Sequence, residues 1–411
     1  MNIFTLHKHA FLKLLIFRVL MVLAYQMMAV AVGWHIYEIT HDTLALGLIG
    51  LAEAIPYFAC ALFAGHAVDH FCSRRFFGAL SALTLAVNTF TLTMLAMGKI
   101  GSSENAHLWI YGSIMLTGIE RAFIAPSYST LFALILPREA YNRASGISSS
   151  VFQAGLIIGP AIGGLLVGYA SKTAAYGLAT VFCLGAAIAM WSIKIKEPSP
   201  ASDSPPIFTS IGQGLRFVYS NQIVFSALSL DMFAVLLGGA VALLPIYARD
   251  ILHVGPAGLG LLRSAPAAGA LLMSLALTRW PLERHVGPRL LMAVAVFGLA
   301  TVVFGMSSHF WLSVLALAVT GAADNISVVV RITVMQLETP DEMRGRVAAV
   351  NSIFIGASNQ LGEFESGTVA AWAGPEFSAI SGGLGTVLVA ALWWRLFPGL
   401  ARRDHLSRAV S

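Results

Sequence analysis

A chain of 411 residues that is 57% hydrophobic and only 11% charged lacks the polar surface of a soluble domain, where about a quarter of residues carry charge. This composition excludes an ordinary globular protein and predicts an all-α, polytopic membrane protein. The formal charge of +5 sits in short loops between apolar runs, so it reads as a topology signal and predicts no nucleic-acid partner.

Runs long enough to cross a bilayer, about 20 residues, are placed at 11–38, 44–68, 76–98, 107–136, 143–171 and 174–193. A second set follows at 221–248, 256–278, 288–306, 309–337, 345–373 and 377–398. The run from Phe11 continues without a small-residue cleavage site, so the first span is expected to stay in the membrane. With alternating spans, Arg74, Arg75, Arg143, Arg284, Arg344, Arg346 and most other basic residues share one side; only Lys99, Lys172 and Arg249 face the other. The positive-inside rule then makes both termini cytoplasmic.

Four segments result: a six-span bundle over 1–193, a cytoplasmic linker over 194–220, a second six-span bundle over 221–398 and a cytoplasmic tail over 399–411. The linker opens with KIKEPSPASDSPP and is Pro- and Ser-rich. Ile207, Ile211, Leu215 and Val218 then recur at helical spacing, as in a short helix lying in the membrane interface.

The halves repeat in register. Moving 203 positions along takes Thr117 and Gly118 to Thr320 and Gly321, Pro137 to Pro340, Glu139 to Glu342, Arg143 to Arg346 and Gly164 to Gly367. Within the repeat, Gly155, Gly159 and Gly163 stand four apart on one helical face where another backbone can come close. Pro160 removes one N–H inside the same run. Span 8 offers a matching small face in Gly260, Ser264 and Ala268, the expected partner of that stripe.

A charge at mid-bilayer costs several kcal/mol and marks a functional candidate. Glu53, Glu120, Arg121, Asp231 and Asp324 fall near mid-depth, Glu363 and Glu365 beyond the middle, and Arg263 in the outer third. Arg121 is expected to neutralise Glu120 or Glu53, and Arg263 a glutamate of span 11. Proton coupling needs a carboxyl that changes state, which favours unpaired, half-buried acids: Asp231 and Glu363 first, then Glu53 and Glu365. His66 and His70 flank Asp69 at metal-ligand spacing, but no third ligand accompanies them, and no metal or cofactor is expected. Cys60, Cys72 and Cys183 show neither a disulfide framework nor metal spacing. The aromatic residues Trp34, Tyr37, Phe58, Tyr128, Phe233, Tyr247 and Phe354 fit either packing or a cavity lining. No G-x-x-x-x-G-K-[ST] loop is present, which disfavours ATP-driven export by this chain alone.

Two six-span halves with a central linker resemble the major facilitator superfamily. GHAVDHFCSRR, 65–75, is similar to that superfamily's loop after span 2: Gly65, Asp69, Arg74 and Arg75 match, while His70 and Cys72 depart from it. ERHVGPR, 283–289, resembles a degenerate second copy, with Glu283 and Gly287 in the acidic and glycine roles. GLIIGPAIGG, 155–164, matches the span-5 signature of its proton-exchanging exporters. IERAFIAPS and SLDMFAVLLGGAVALLPIYARD resemble the branch containing the enterobactin exporter and macrolide efflux proteins.

The resemblance implies twelve transmembrane helices in two pseudo-symmetric bundles and a non-enzymatic, monomeric antiporter in a bacterial inner membrane. It would export a small amphiphilic molecule, such as a drug or siderophore, in exchange for protons. Gly65, Asp69, Arg74 and Arg75 would form the cytoplasmic gate. Gly155, Gly159, Pro160, Gly163 and Gly164, with Gly260 and Ser264, would form the outer one. Uptake by symport or facilitation, lipid flipping and a membrane enzyme are the alternatives; the last lacks a nucleophile or metal set beside His66 and His70.

Overall fold

The computed structural model describes residues 3–70, 73–101, 105–195, 207–280, 282 and 284–404. All regular elements among them are helical, as lipid demands of a chain that must satisfy its own backbone. The first series is α1 (Ile3–Thr40), α2 (Thr43–His70), α3 (Arg74–Ala96), α4 (Ala106–Ile135), α5 (Tyr141–Tyr169) and α6 (Lys172–Trp191). An amphipathic α7 (Ile207–Ser220) precedes α8 (Gln222–Gly238), which runs on through a 3-10 turn (Ala240–Leu243), α9 (Leu244–Ile246) and a π-helical turn (Tyr247–Ile251). Then come α10 (Gly255–Arg279), α11 (Val286–Met306), α12 (Phe310–Glu338), α13 (Arg344–Ala373), α14 (Pro375–Leu396) and the short α15 (Pro398–Ala401).

Among the described residues, 10 helices are long and apolar enough to cross a membrane. α4 and α13, of 30 residues each, have the length but are diluted by polar side chains, Glu120 and Arg121 in one and Asn359, Gln360, Glu363 and Glu365 in the other. Together they make the twelve long helices expected. The run read as one span over 221–248 is not a single α-helix. It breaks at Gly239 (φ −72°, ψ 55°), where α13 comes so close that a Cβ on Gly362 would lie 2.9 Å from the Val235 carbonyl oxygen. Pro245, without an N–H, stands in the first turn of the helix that restarts, where that donor would have no partner in any case.

The chain divides into two compact units. The first comprises Met1–His41, Ala52–Ser204 and Gly255–Ser264; the second comprises Asp42–Leu51, Pro205–Val254 and Ala265–Ser411.

In the first unit α1 packs on α5 and α6, and α3 on α4 and α6. Ser171 caps α6, accepting from the Ala174 N–H at 3.0 Å. Beyond the other end of α6, the carbonyls of Ser192 and Ile193 accept from Lys13 Nζ (2.7 Å) and Arg75 Nη1 (2.6 Å), cations where the helix dipole is negative.

In the second unit α11 packs on α14 and α12, and α8 on α13, α14 and α12. Asn221 caps α8 through the N–H groups of Ile223 and Val224. α7 seats on α13 through Gly214, where a Cβ would meet the Arg346 carbonyl oxygen at 2.8 Å. The tightest crossing joins α10 to α12, with Gly321 facing the Pro266 carbonyl and Gly269 the Ala318 carbonyl.

Side chains have no room at that crossing, so Gly321→Leu is expected to destabilise the protein by about 1–3 kcal/mol through overpacking. Gly177→Leu, a position where a Cβ meets nothing within 4 Å, should be neutral. Thermal melts of the two variants in the same detergent check this; equal melting would remove the crossing as a stability determinant.

Candidate functional site

The first unit holds a charged cluster in the middle of its helices. Gly118 lets α4 approach the Glu53 carbonyl of α2, with Pro56 Cγ 3.0 Å from where a Cβ would stand. One turn further along, Arg121 therefore reaches the Glu53 carboxylate and pairs with it. Tyr25 of α1 donates from Oη to Glu53, with the two carboxylate oxygens at 2.9 and 3.1 Å, and accepts from Arg121 Nη1 at 3.0 Å. The guanidinium also lies 4.7 Å from the Tyr25 ring centre and 5.7 Å from that of Tyr57, within cation–π range. Glu120 precedes Arg121 by one position and so points about 100° away. It is 3% exposed, and among the described residues no group meets hydrogen-bond geometry with either carboxylate oxygen. Of the two acids offered for Arg121, Glu53 takes it.

A second cluster lies in the second unit, on α8 and α12. Asp231 was expected to be unpaired and half-buried; instead it is 5% exposed and forms an ion pair with Arg331, itself 3% exposed. Ser327 Oγ donates to the other Asp231 oxygen at 3.0 Å. A charge this deep is tolerated only with a partner, and Arg331 is the residue that sequence reasoning missed. Its signal was present, since it is the lone cation in the apolar run ISVVVRITVM. The pair borders a cavity of about 360 Å³ that Asp324, Thr301, Phe297 and Asn359 also line.

The remaining acids are spread along α13. Glu363 is half-buried, with its Cβ 2.9 Å and Oε2 3.1 Å from where a Cβ on Gly50 would stand. Glu365 is half-buried and has Ser366 Oγ at 3.4 Å. Arg263 is half-buried on α10.

The glycine stripe of α5 does not meet the partner expected for it. Gly155, Gly159 and Gly163 face α1, at Val22, Gln26 and Met27. The contact with the first turns of α10 is made by the neighbouring face: a Cβ on Gly164 would lie 2.7 Å from Gly260 Cα, and Ser264 Oγ donates to the Ile157 carbonyl at 2.7 Å. A Cβ on Gly260 would in turn meet the Pro160 carbonyl oxygen. A step of one residue rotates the helix face by about 100°, enough to exchange one neighbour for another. The repeat carries a counterpart in the second unit, where Gly367 of α13 meets Gly47 of α2, with Gly47 N 2.7 Å from a Cβ on Gly367.

Of the proposed gate loop, Gly65, His66, Asp69 and His70 lie on the last turns of α2 with side chains outside the described set, and Cys72 and Glu283 lie outside the described residues. Arg74 opens α3, and Arg75 holds the carbonyl after α6 as above. Gly287, in the second copy, donates its N–H to the Arg403 carbonyl at 2.9 Å. Among the described residues no three His, Cys, Asp or Glu side chains converge as a metal site.

Comparison with known proteins follows the same outline. The sequence profile of the transmembrane secretion effector family matches residues 3–408. The chain is 28% identical to the enterobactin exporter EntS of Citrobacter koseri over 98% of its own length and 95% of the relative's. To the enterobactin exporter of Escherichia coli O1:K1 it is 27% identical, over 95% and 93%. Among solved structures, the peptide transporter POT in complex with sulfate superposes with a TM-score of 0.74 at 12% identity, covering 98% of this chain and 99% of that one. A bacterial homologue of the lysosomal transporter Spinster, inward-facing and occupied, gives 0.74 at 14% identity, covering 96% and 98%. At these identities the structures report the fold alone.

Two outcomes follow from the geometry. Arg331→Leu leaves Asp231 buried without its counter-ion and should cost about 3–5 kcal/mol, most of it recovered when Asp231→Leu is added. Detergent melts measure this, and a double variant no more stable than the single one would remove the pairing. At the helix contact, the pair Gly168→Cys with Ala257→Cys, whose Cβ atoms would stand 3.3 Å apart, in a background freed of the native cysteines, should form a disulfide. Gly155→Cys with Gly260→Cys should not, and the reverse result would restore the original stripe as the partner of α10.

Proposed function

This chain belongs to the transmembrane secretion effector family of the major facilitator superfamily, and from that premise we propose that it is a proton-coupled exporter of a small amphiphilic molecule. The coarse part of that reading, a multi-pass membrane transporter with a small-molecule substrate, follows from the family. The finer part comprises antiport, a siderophore or drug as cargo, the bacterial inner membrane, cytoplasmic termini and a working monomer in the lipid bilayer.

The observation that supports it most is the placing of a carboxylate–arginine pair inside the membrane helices of each unit, Glu53 with Arg121 and Asp231 with Arg331. Replacing such a pair by apolar residues is often neutral or stabilising, so stability gives little reason to keep two of them. Movement of protons or charged cargo does give one, since each pair is a switch: protonating the carboxylate frees the arginine. Glu363 and Glu365 remain coupling candidates beside Asp231 and Glu53.

The close contact of α5 with the first turns of α10, through Gly164 and Gly260, serves in this reading as the outer closure. Gly155, Gly159 and Gly163 serve it indirectly, by fixing α5 on α1. Asp69, with Gly65, Arg74 and Arg75, serves as the cytoplasmic gate.

Everted membrane vesicles from cells producing the chain, offered a panel of siderophores and amphiphilic drugs, should accumulate one class when respiration is energised. A protonophore should abolish that accumulation. Accumulation indifferent to the protonophore would remove proton coupling, and uptake by intact cells in place of export would reverse the direction.

A further inference from the structure

The first unit keeps a cation within its membrane helices that no carboxylate answers. Arg18 lies about 15 Å into α1, counted from Lys8, where the apolar run begins. The register of α5 on α1 determines what surrounds it. Gly155 stands against Val22 and Gly159 against Gln26, so Phe152, one turn before Gly155, falls beside Arg18, one turn before Val22. The guanidinium lies 4.9 Å from the Phe152 ring centre and 4.5 Å from that of Tyr128 on α4. Tyr128 is buried, and its hydroxyl shares a hydrogen bond with Ser148 Oγ, which holds the ring in place.

The two rings attract the cation but offer no acceptor to its N–H groups. Nε is buried without a hydrogen-bond partner, and Arg18 makes neither a hydrogen bond nor an ion pair among the described residues. Tyr25, seven residues on, shares the face of α1 with Arg18, and Arg121, seven residues before Tyr128, shares that of α4. At that second level, about 10 Å away, Glu53 and Tyr25 already satisfy Arg121. Arg18 has no such counterpart, so this face of the first unit carries one uncompensated positive charge, which is costly without a partner. Arg18 is half-buried and Phe152 is 38% exposed, so the site is open on one side.

A guanidinium flanked by rings keeps its N–H edge free, and that edge matches a planar oxyanion through two parallel hydrogen bonds. An aromatic body attached to the anion would find the exposed Phe152 ring beside it. We propose that Arg18, between Tyr128 and Phe152, anchors an anionic aromatic ligand, its carboxylate on the guanidinium and its ring against Phe152. This narrows the amphiphile of the export reading to an aromatic organic anion. The binding site stands on Arg18 and its two rings alone; that its occupant is cargo rests on the export reading above.

The test uses the full-length chain purified in detergent, with 2-naphthoate as the probe and two compounds of similar shape, neutral 2-naphthylmethanol and cationic 2-naphthylmethylammonium, as comparisons. Naphthoate binding should be saturable and at least about tenfold tighter than that of either comparison. Arg18→Met should weaken naphthoate about tenfold or more and leave 2-naphthylmethanol within about twofold, a split that lost packing alone would not give. Arg18→Lys should keep the preference for the anion at reduced affinity, since a point charge replaces the fork. Phe152→Leu should weaken naphthoate several-fold, about threefold or more. A folded Arg18→Met protein with the wild-type affinity for naphthoate overturns the proposal. Should that variant fail to fold, the wild-type protein and Phe152→Leu decide. No naphthoate binding, equal or tighter binding of the alcohol or the ammonium, or an unchanged affinity in Phe152→Leu overturns it equally. Selective naphthoate binding by a chain that drives no accumulation in energised everted vesicles would fail the export reading and leave the site standing.

Discussion

A charge in the middle of an apolar helix has to be answered by a neighbour, and most of what is distinctive in this protein depends on that. Arg121 determines which residues of α1 and α2 lie beside α4, because Glu53 and Tyr25 must both be within its reach. Arg331 does the same for α8 and α12, with Asp231 and Ser327 as the answering groups. At the first pair glycine permits the approach that the charge requires, since Gly118 puts α2 against α4 one turn away. Gly321 serves a different contact, of α12 with α10. At the first pair electrostatics and close packing are thus one constraint seen from two sides.

The internal repeat extends from sequence into contact. Gly164 and Gly367 are repeat equivalents, and each brings its helix against a glycine near the start of another, Gly260 and Gly47. Both bring backbone against backbone with no side chain between. Gly155, Gly159 and Gly163 instead face side chains and backbone of α1, among them the buried Met27.

Much of this was legible before any coordinates. The apolar spans, the in-register repeat and the family signature GLIIGPAIGG all follow from residue order, because helix length and lipid solubility are properties of local sequence. Burial of Glu120 and the pairing of Glu53 with Arg121 were within reach for the same reason. Three things were not. Arg331 lies near enough to the end of its span to pass for a topology signal, and only the fold brings Asp231 to it. The break at Gly239 looked like continuous helix because Gly-Gly is common in membrane spans and its cause is the approach of Gly362 from another helix. The glycine stripe of α5 was identified correctly and given the wrong neighbour, since periodicity fixes which residues share a face but not the direction in which that face points.

The central claim is that cargo and protons move in opposite directions through this chain. It is tested most directly in proteoliposomes holding the purified protein and an internal pH-sensitive dye, with cargo identified by comparing the media of cells with and without the chain. A cargo gradient directed inward, with no initial pH difference, should drive protons out and make the lumen more alkaline. Cargo entry with an unchanged lumen, or with acidification, would contradict exchange and point to facilitated diffusion or symport.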